Sequence, residues 1–244
     1  MTMKHHNILI TLLLLASLAV MQSSHARQSG KPSATERGGG GETTLPTTEL
    51  ENGSLDFNET THMVFMREEE KLARDVYTKL GTLYPDSVVF GKIDDSEQKH
   101  TDAVKNLLLG YGIADPNTND NVGMFTGMEY GEYFTEKYGY LVNLASASEL
   151  DAFYVGAFIE ELDMMDIVQC PKVILEQDNG IDDVSDCGLG YTDQKDIRNV
   201  YESLLDGSKN HLRAYVRAIE SLIGKGGYSA QVLTQEQVDE IMGR

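Results

Sequence analysis

Met66-Arg67-Glu68-Glu69-Glu70-Lys71-Leu72-Ala73-Arg74-Asp75-Val76-Tyr77 is the stretch whose reading decides the fold. Stepped alternately by three and four residues, Met63, Met66, Glu70, Ala73, Tyr77 and Leu80 fall on one helical face. That face is apolar or small except at Glu70. Asp56 and Glu59 have the spacing of a capping box, so the helix is expected from Phe57 to Leu80, ending before Gly81.

Three further segments carry the same periodicity. The second runs from about Ser87 to Leu109, stops at Gly110, and turns Ile93, Glu97, His100, Val104 and Leu107 inward. The third opens at Ser146-x-x-Glu149, reaches Val168 before Pro171, and presents Phe153, Gly156, Glu160, Asp163 and Ile167. The fourth extends from Asp193 to Ile223, ended by Gly224 and Gly226. Its seam is Ile197, Val200, Leu204, Ser208, His211, Tyr215, Ala218 and Leu222. Between the second and third lies a long stretch with Asp115-Pro116 and an aromatic cluster, holding a short helix over Glu129–Tyr138. Such a length suits a crossover along a four-helix bundle.

Each seam is interrupted near its middle by a carboxylate, a histidine or both. A carboxylate buried alone costs several kcal/mol, so converging ones demand cations. Carboxylate with imidazole suits iron, manganese or zinc. Glu97-Gln98-Lys99-His100 places both ligand types on one face at i, i+3, the arrangement used by two-metal bundles. The metal-ligand set read from the sequence is Glu70, Glu97, His100, Glu160, Asp163 and His211. Arg74 and Tyr77 stand beside them as residues to orient carboxylates. Blander readings stay open for each position. Glu68 to Glu70 is a charge run of the kind that usually faces water. Glu97 could close a capping box with Asp94, the register could slip from Glu160 to Glu161, Asp163 could face solvent, and His211 could be a core histidine.

Glu70-Lys71-Leu72-Ala73-Arg74-Asp75-Val76-Tyr77 resembles the first helix of rubrerythrins and other ferritin-like proteins, Glu-x-x-Ala-Arg-x-x-Tyr, and Ser96 to His100 resembles their second. Met66 to Leu72, Ile159 to Asp163 and Gly207 to Ala214 together resemble a bacterial and archaeal ferritin-like family, domain of unknown function 2202. The resemblance spans roughly Leu55 to Met242. It implies a ferritin-like fold and metal binding, without an established reaction. Glu70, Glu97 and His100 match the rubrerythrin pattern directly, and Glu160 and Asp163 match its third helix in spacing. The fourth helix departs: His211 is present, but Ser208 stands where a second Glu-x-x-His needs its glutamate.

The expected fold is therefore all-α, a ferritin-like four-helix bundle with a long crossover. The expected function is a non-haem di-iron or manganese site of oxidase, peroxidase or ferroxidase type. The rival is a non-catalytic protein that sequesters metal or serves as an interaction scaffold, and a buried polar network without metal is a third reading.

Composition narrows the partners. With 39 acidic against 20 basic residues, the formal charge of −19 favours cations and disfavours nucleic acid. Lys4, His5 and His6, the apolar run from Ile8 to Val20 and Ser24-His25-Ala26 read as a signal peptide over residues 1–26, cleaved near Ala26. A flexible Gly/Ser/Thr/Pro-rich linker over 27–55 and a helical domain over 56–244 would follow. The mature chain would then be secreted or periplasmic and free of the membrane. Export favours pairing of Cys170 with Cys187, two free thiols being the alternative. Ferritin-like bundles often form homo-oligomers, and no surface stripe here specifies one.

Overall fold

A computed structural model describes residues 54–244. The leader, and all but the last two residues of the linker, lie outside the described residues. Those described are all-helical: α1 (Phe57–Leu83), α2 (Phe90–Gly110), α3 (Gly131–Ala145), α4 (Glu149–Val168), α5 (Lys172–Leu175), α6 (Lys195–Ile223) and α7 (Gln235–Met242). None of these helices is long and apolar enough to cross a membrane.

α1 packs along α2, α4 packs along α6, and the two pairs meet through α1 against α4 and α2 against α6. The capping box at Asp56 forms as its spacing dictates: Glu59 N–H donates to Asp56 Oδ1 at 2.8 Å, and Asp56 N–H to the Glu59 carboxylate at 3.2 Å. α1 does not stop before Gly81. It runs through that glycine to Leu83, with Leu80 fully buried and Thr82 and Leu83 exposed at the end of the last turn. α2 begins at Phe90, three residues later than expected, leaving Asp94 inside the first turns rather than at a cap. Ser148, not Ser146, caps α4, accepting from Asp151 N–H at 3.1 Å; Ser146 instead closes α3. α6 begins two residues later than expected.

The connection from α2 to α4 carries α3, longer than the expected segment and shifted along the chain, which packs on both α1 and α4. This cover explains why Glu68, Glu69 and Glu70 are all buried, where a charge run would ordinarily face water. α1 is enclosed over almost its whole circumference. Arg67, Lys71 and Arg74 are buried with it. Lys71 pairs with Asp75 at 2.5 Å and lies 4.5 Å from the Phe125 ring centroid. Arg67 pairs with Asp115 at 3.0 Å.

The chain after α6 straps back onto α4. Glu161, fully buried, accepts from the Tyr228 hydroxyl and from three successive backbone N–H groups, Gln231, Val232 and Leu233, at 2.5 to 2.9 Å. A carboxylate saturated in this way needs no cation, which separates it from its neighbour Glu160. α7 then starts on a second capping box, Thr234 with Gln237.

His62 shows how burial governs charge on α1. Its ring nitrogens meet Tyr201 Oη and the Asp166 carbonyl, each at 2.8 Å. Burial lowers its pKa from 6.5 to about 4. The unfolded chain therefore takes up this proton near 6.5 and the folded chain only near 4, so acidification across that window favours unfolding. The loss from this group is on the order of 3 kcal/mol once pH is below 4. Urea unfolding at pH 7 and pH 4.5 should show most of that loss in the wild type and not in His62→Gln. Equal losses in both proteins would exclude His62 as the source.

Candidate metal centre

The sequence places Glu70, Glu97, His100, Glu160 and His211 about two to four helical turns inside four different helices, and the packing brings them together. Two overlapping groups result, Glu70 with Glu97 and His100, and Glu97 with Glu160 and His211, their ligand atoms within 4.8 Å of one another. Glu97 belongs to both. Its Oε2 lies 3.0 Å from His100 Nδ1 and its Oε1 lies 2.6 Å from His211 Nδ1, so one carboxylate faces two imidazoles. Glu70 Oε2 stands 3.4 Å from His100 Nδ1, and Glu160 Oε2 stands 3.5 Å from His211 Nδ1. The two rings lie with centroids 5.6 Å apart. All five residues are buried, as the inward seams required.

Asp163 is buried too, but it belongs to neither group. One turn beyond Glu160 on α4, its Oδ2 accepts a 2.5 Å hydrogen bond from the Ser208 hydroxyl. Ser208 thus engages a carboxylate from α4 at the position where a carboxylate of its own was expected on α6. Tyr77 donates to Glu160 Oε1 at 2.6 Å and so fixes that carboxylate, as its place in the motif suggested. Arg74 does not. Its guanidinium reaches Asp75, Gln98 and Asp120 and ties α1 to α2 and to the loop that follows α2.

The α6 seam also differs from the expected one. Tyr201 and Ile219 are buried, whereas Val200 and Ala218 are only half-buried and Leu222 is exposed. Strict three-four alternation drifts from the 3.6-residue turn over a helix this long. Near His211, where the phase had been set, the reading holds.

Electrostatics show what the cluster lacks. Burial pushes Glu70 up to about 7, although the hydrogen bond with His100 opposes it. Burial likewise raises Glu160 and Asp163, the latter well above the usual carboxylate range with help from Glu70. Glu97 moves the other way: burial resists ionisation, but the hydrogen bond from His100 and the closely facing His211 imidazole outweigh it and hold it at about 2. Burial disfavours both imidazolium ions, yet the facing carboxylates raise His100 to about 12 and His211 to about 10. Without metal, protons stand where cations would.

The donor set fits cations on separate evidence. Glu70 Oε1 and Asp163 Oδ1 are buried with no hydrogen-bond partner, a costly arrangement for carboxylate oxygens. His211 Nδ1 and Glu97 Oε1 approach closely without the alignment of a hydrogen bond, as donor atoms do when aimed at a common third point. Two carboxylates and one imidazole on each side make a hard, anionic set for divalent first-row metals.

The sequence reading undervalued two features. Tyr215, read only as a seam residue, is fully buried beside Tyr77 with ring centroids 5.5 Å apart, and burial with the charges of Glu160 and Glu97 raises its pKa well above the usual range. Asp166 continues the i, i+3 acidic series Glu160, Asp163. Burial, acting against the hydrogen bond to Glu69, raises it to about 7, and burial with repulsion from Asp166 raises Glu69 well above the usual range.

Comparison with known proteins yields a relative that is similar in both sequence and structure. The chain is 39% identical over 180 residues to uncharacterized protein MJ0754 of Methanocaldococcus jannaschii, covering 74% of this chain and 84% of that protein. The crystal structure of hypothetical protein MJ0754 superimposes with a TM-score of 0.62 at 38% identity, over 83% of this chain and 98% of that one. The family described as uncharacterized protein domain DUF2202 matches residues 59–244, essentially every residue of the helical domain, and the chain belongs to that family.

Proposed function

We propose that this protein is an exported ferritin-like four-helix bundle, with the α2–α4 connection as its crossover, that binds two iron or manganese ions and uses them in oxidation chemistry. The observation that carries the reading is Glu97, whose two carboxylate oxygens face histidines from two different helices. Glu70, Glu97 and His100 would hold one ion, and Glu97, Glu160 and His211 the other, with Glu97 shared between them. Asp163, its Oδ1 free, supplies the carboxylate that α6 lacks. Bound iron or manganese would contribute electron transfer to dioxygen or a peroxide.

The chain's own residues prepare that site. Tyr77 orients Glu160 through its 2.6 Å hydrogen bond, and Ser208 does the same for Asp163. The surrounding core, with Met66, Tyr77, Val104 and Tyr215 almost fully buried, excludes bulk water. The leader over residues 1–26 and the disulfide agree with export. The homo-oligomeric state proposed with the fold is testable by light scattering.

Metal-stripped protein given ferrous iron should take up about two ions per chain, the stoichiometry of the two-metal bundle. Oxygen consumption during loading supports turnover. Stoichiometric uptake without oxygen consumption would favour sequestration instead, a role the net charge of −19 also suits. Failure to bind any divalent first-row metal, with a melting temperature indifferent to chelator, would leave only the buried polar network.

A further inference from the structure

We infer that Gly207 is a positioning residue for the His100 half of the centre: the missing side chain on that turn of α6 lets the imidazole lie against the helix with Nδ1 turned to Glu70 and Glu97. The inference rests on the two-ion reading above. A Cβ placed on Gly207 would stand 2.4 Å from both Cε1 and Nε2 of His100, and 3.7 Å from Nδ1. Real Cβ atoms do not approach so closely, and the ring is not free to yield, because its other edge already meets Glu97 at 3.0 Å and Glu70 at 3.4 Å.

Local energetics do not explain this glycine. Gly207 lies deep within the 29-residue α6, where glycine is the poorest helix former short of proline. It does not have a positive φ, so no special backbone conformation requires it. Gly91, Gly110 and Gly139, also helical, have open space where a Cβ would go. At Gly207 the space belongs to His100. Ser208 continues the same thin place on α6, filled from the other side by Asp163. With Cε1 and Nε2 against the α6 backbone, Nδ1 is the nitrogen left to bind an ion.

The test compares wild type, Gly207→Ala and, as a control for helix propensity, Gly139→Ala, each stripped and titrated with Mn²⁺ under anaerobic equilibrium dialysis. The wild type and the control should bind two ions. Gly207→Ala should keep the ion held by Glu97, Glu160 and His211 and lose affinity for the other by about 10–100-fold, the usual effect of disturbing a ligand's support. A second measurement reads the contact without metal. Alanine at 207 should lower the melting temperature when His100 is present and raise it in a His100→Ala background; a helix-propensity role alone gives a rise in both. If Gly207→Ala does not fold, recovery of folding in the His100→Ala/Gly207→Ala double variant supports the inference, and absence of recovery overturns it. Two ions bound by Gly207→Ala with wild-type affinity overturn the role of Gly207 and leave the two-ion centre standing. A wild type that binds no Mn²⁺ overturns both.

Discussion

Replacing Glu97 with alanine is expected to take metal content from about two ions per chain to about none, because each of the proposed ion positions draws on this carboxylate. No other residue of the cluster has that property. Removal of Glu70 or His100 should spare the ion at Glu160 and His211, and removal of Glu160 or His211 should spare the other. The metal-free fold should suffer as well. Burial disfavours the charged forms of His100 and His211, which the facing carboxylates hold protonated, and the substitution leaves each with one partner, Glu70 at 3.4 Å or Glu160 at 3.5 Å. Breaking a buried ion pair from one side costs about 3–5 kcal/mol. The surviving partners place the expectation near the lower end, about 3 kcal/mol, or a fall of roughly 6–12 °C in melting temperature for a domain of this size. Glu97→Gln keeps the volume and an acceptor, so it should lose metal with less loss of stability. Elemental analysis and thermal melts of the two variants check both halves, and retention of two ions by Glu97→Ala would remove Glu97 as the shared ligand.

Loss of the Cys170–Cys187 disulfide should destabilise the domain by roughly 3 kcal/mol without touching metal content. The bond closes a segment of 17 residues, and both cysteines are almost fully buried. The end of α4 depends on that segment for its last backbone partners. Leu189 N–H donates to the Ile167 carbonyl at 2.9 Å, Gly190 N–H to Val168 at 3.2 Å, and Cys170 N–H to the Val184 carbonyl at 2.8 Å. Freeing the loop in the unfolded chain makes those closures entropically dearer. Glu160 lies roughly 12 Å of helix rise from the end of α4, so the metal cluster should not feel the change. Melts of the metal-free protein with and without reductant should differ by about 6–12 °C. An unchanged melting temperature on full reduction would contradict the stabilising role, and lost metal would show that the loop supports the site after all.

The candidate site was legible because its signals are periodic. Glu97 and His100 at i, i+3 share a face whatever the tertiary context, and the apolar residues around Glu70, Glu160 and His211 fix which way those positions turn. The same logic explains the errors. Arg74 falls in the family motif, but motif membership says nothing about the direction of a long side chain, and its guanidinium found the carboxylates of Asp75 and Asp120 instead. Glu160 and Glu161 could be ordered only by seeing that the tail supplies three N–H groups to one and none to the other. Ser146 and Ser148 both precede acidic residues at capping distance, and only the course of the chain out of α3 chose between them.

By itself the sequence determined that the chain forms long amphipathic helices and that four of them interrupt their apolar seams with carboxylate or imidazole, since these follow from spacing of 3.6 residues per turn. Tertiary structure alone decided that Glu97 stands between both histidines, that Ser208 engages Asp163, that Gly207 makes room for His100, and that the whole Glu68–Glu70 run is buried. Those outcomes depend on which helices become neighbours and at what height. Contacts between residues far apart in sequence are set by packing, which no local pattern encodes.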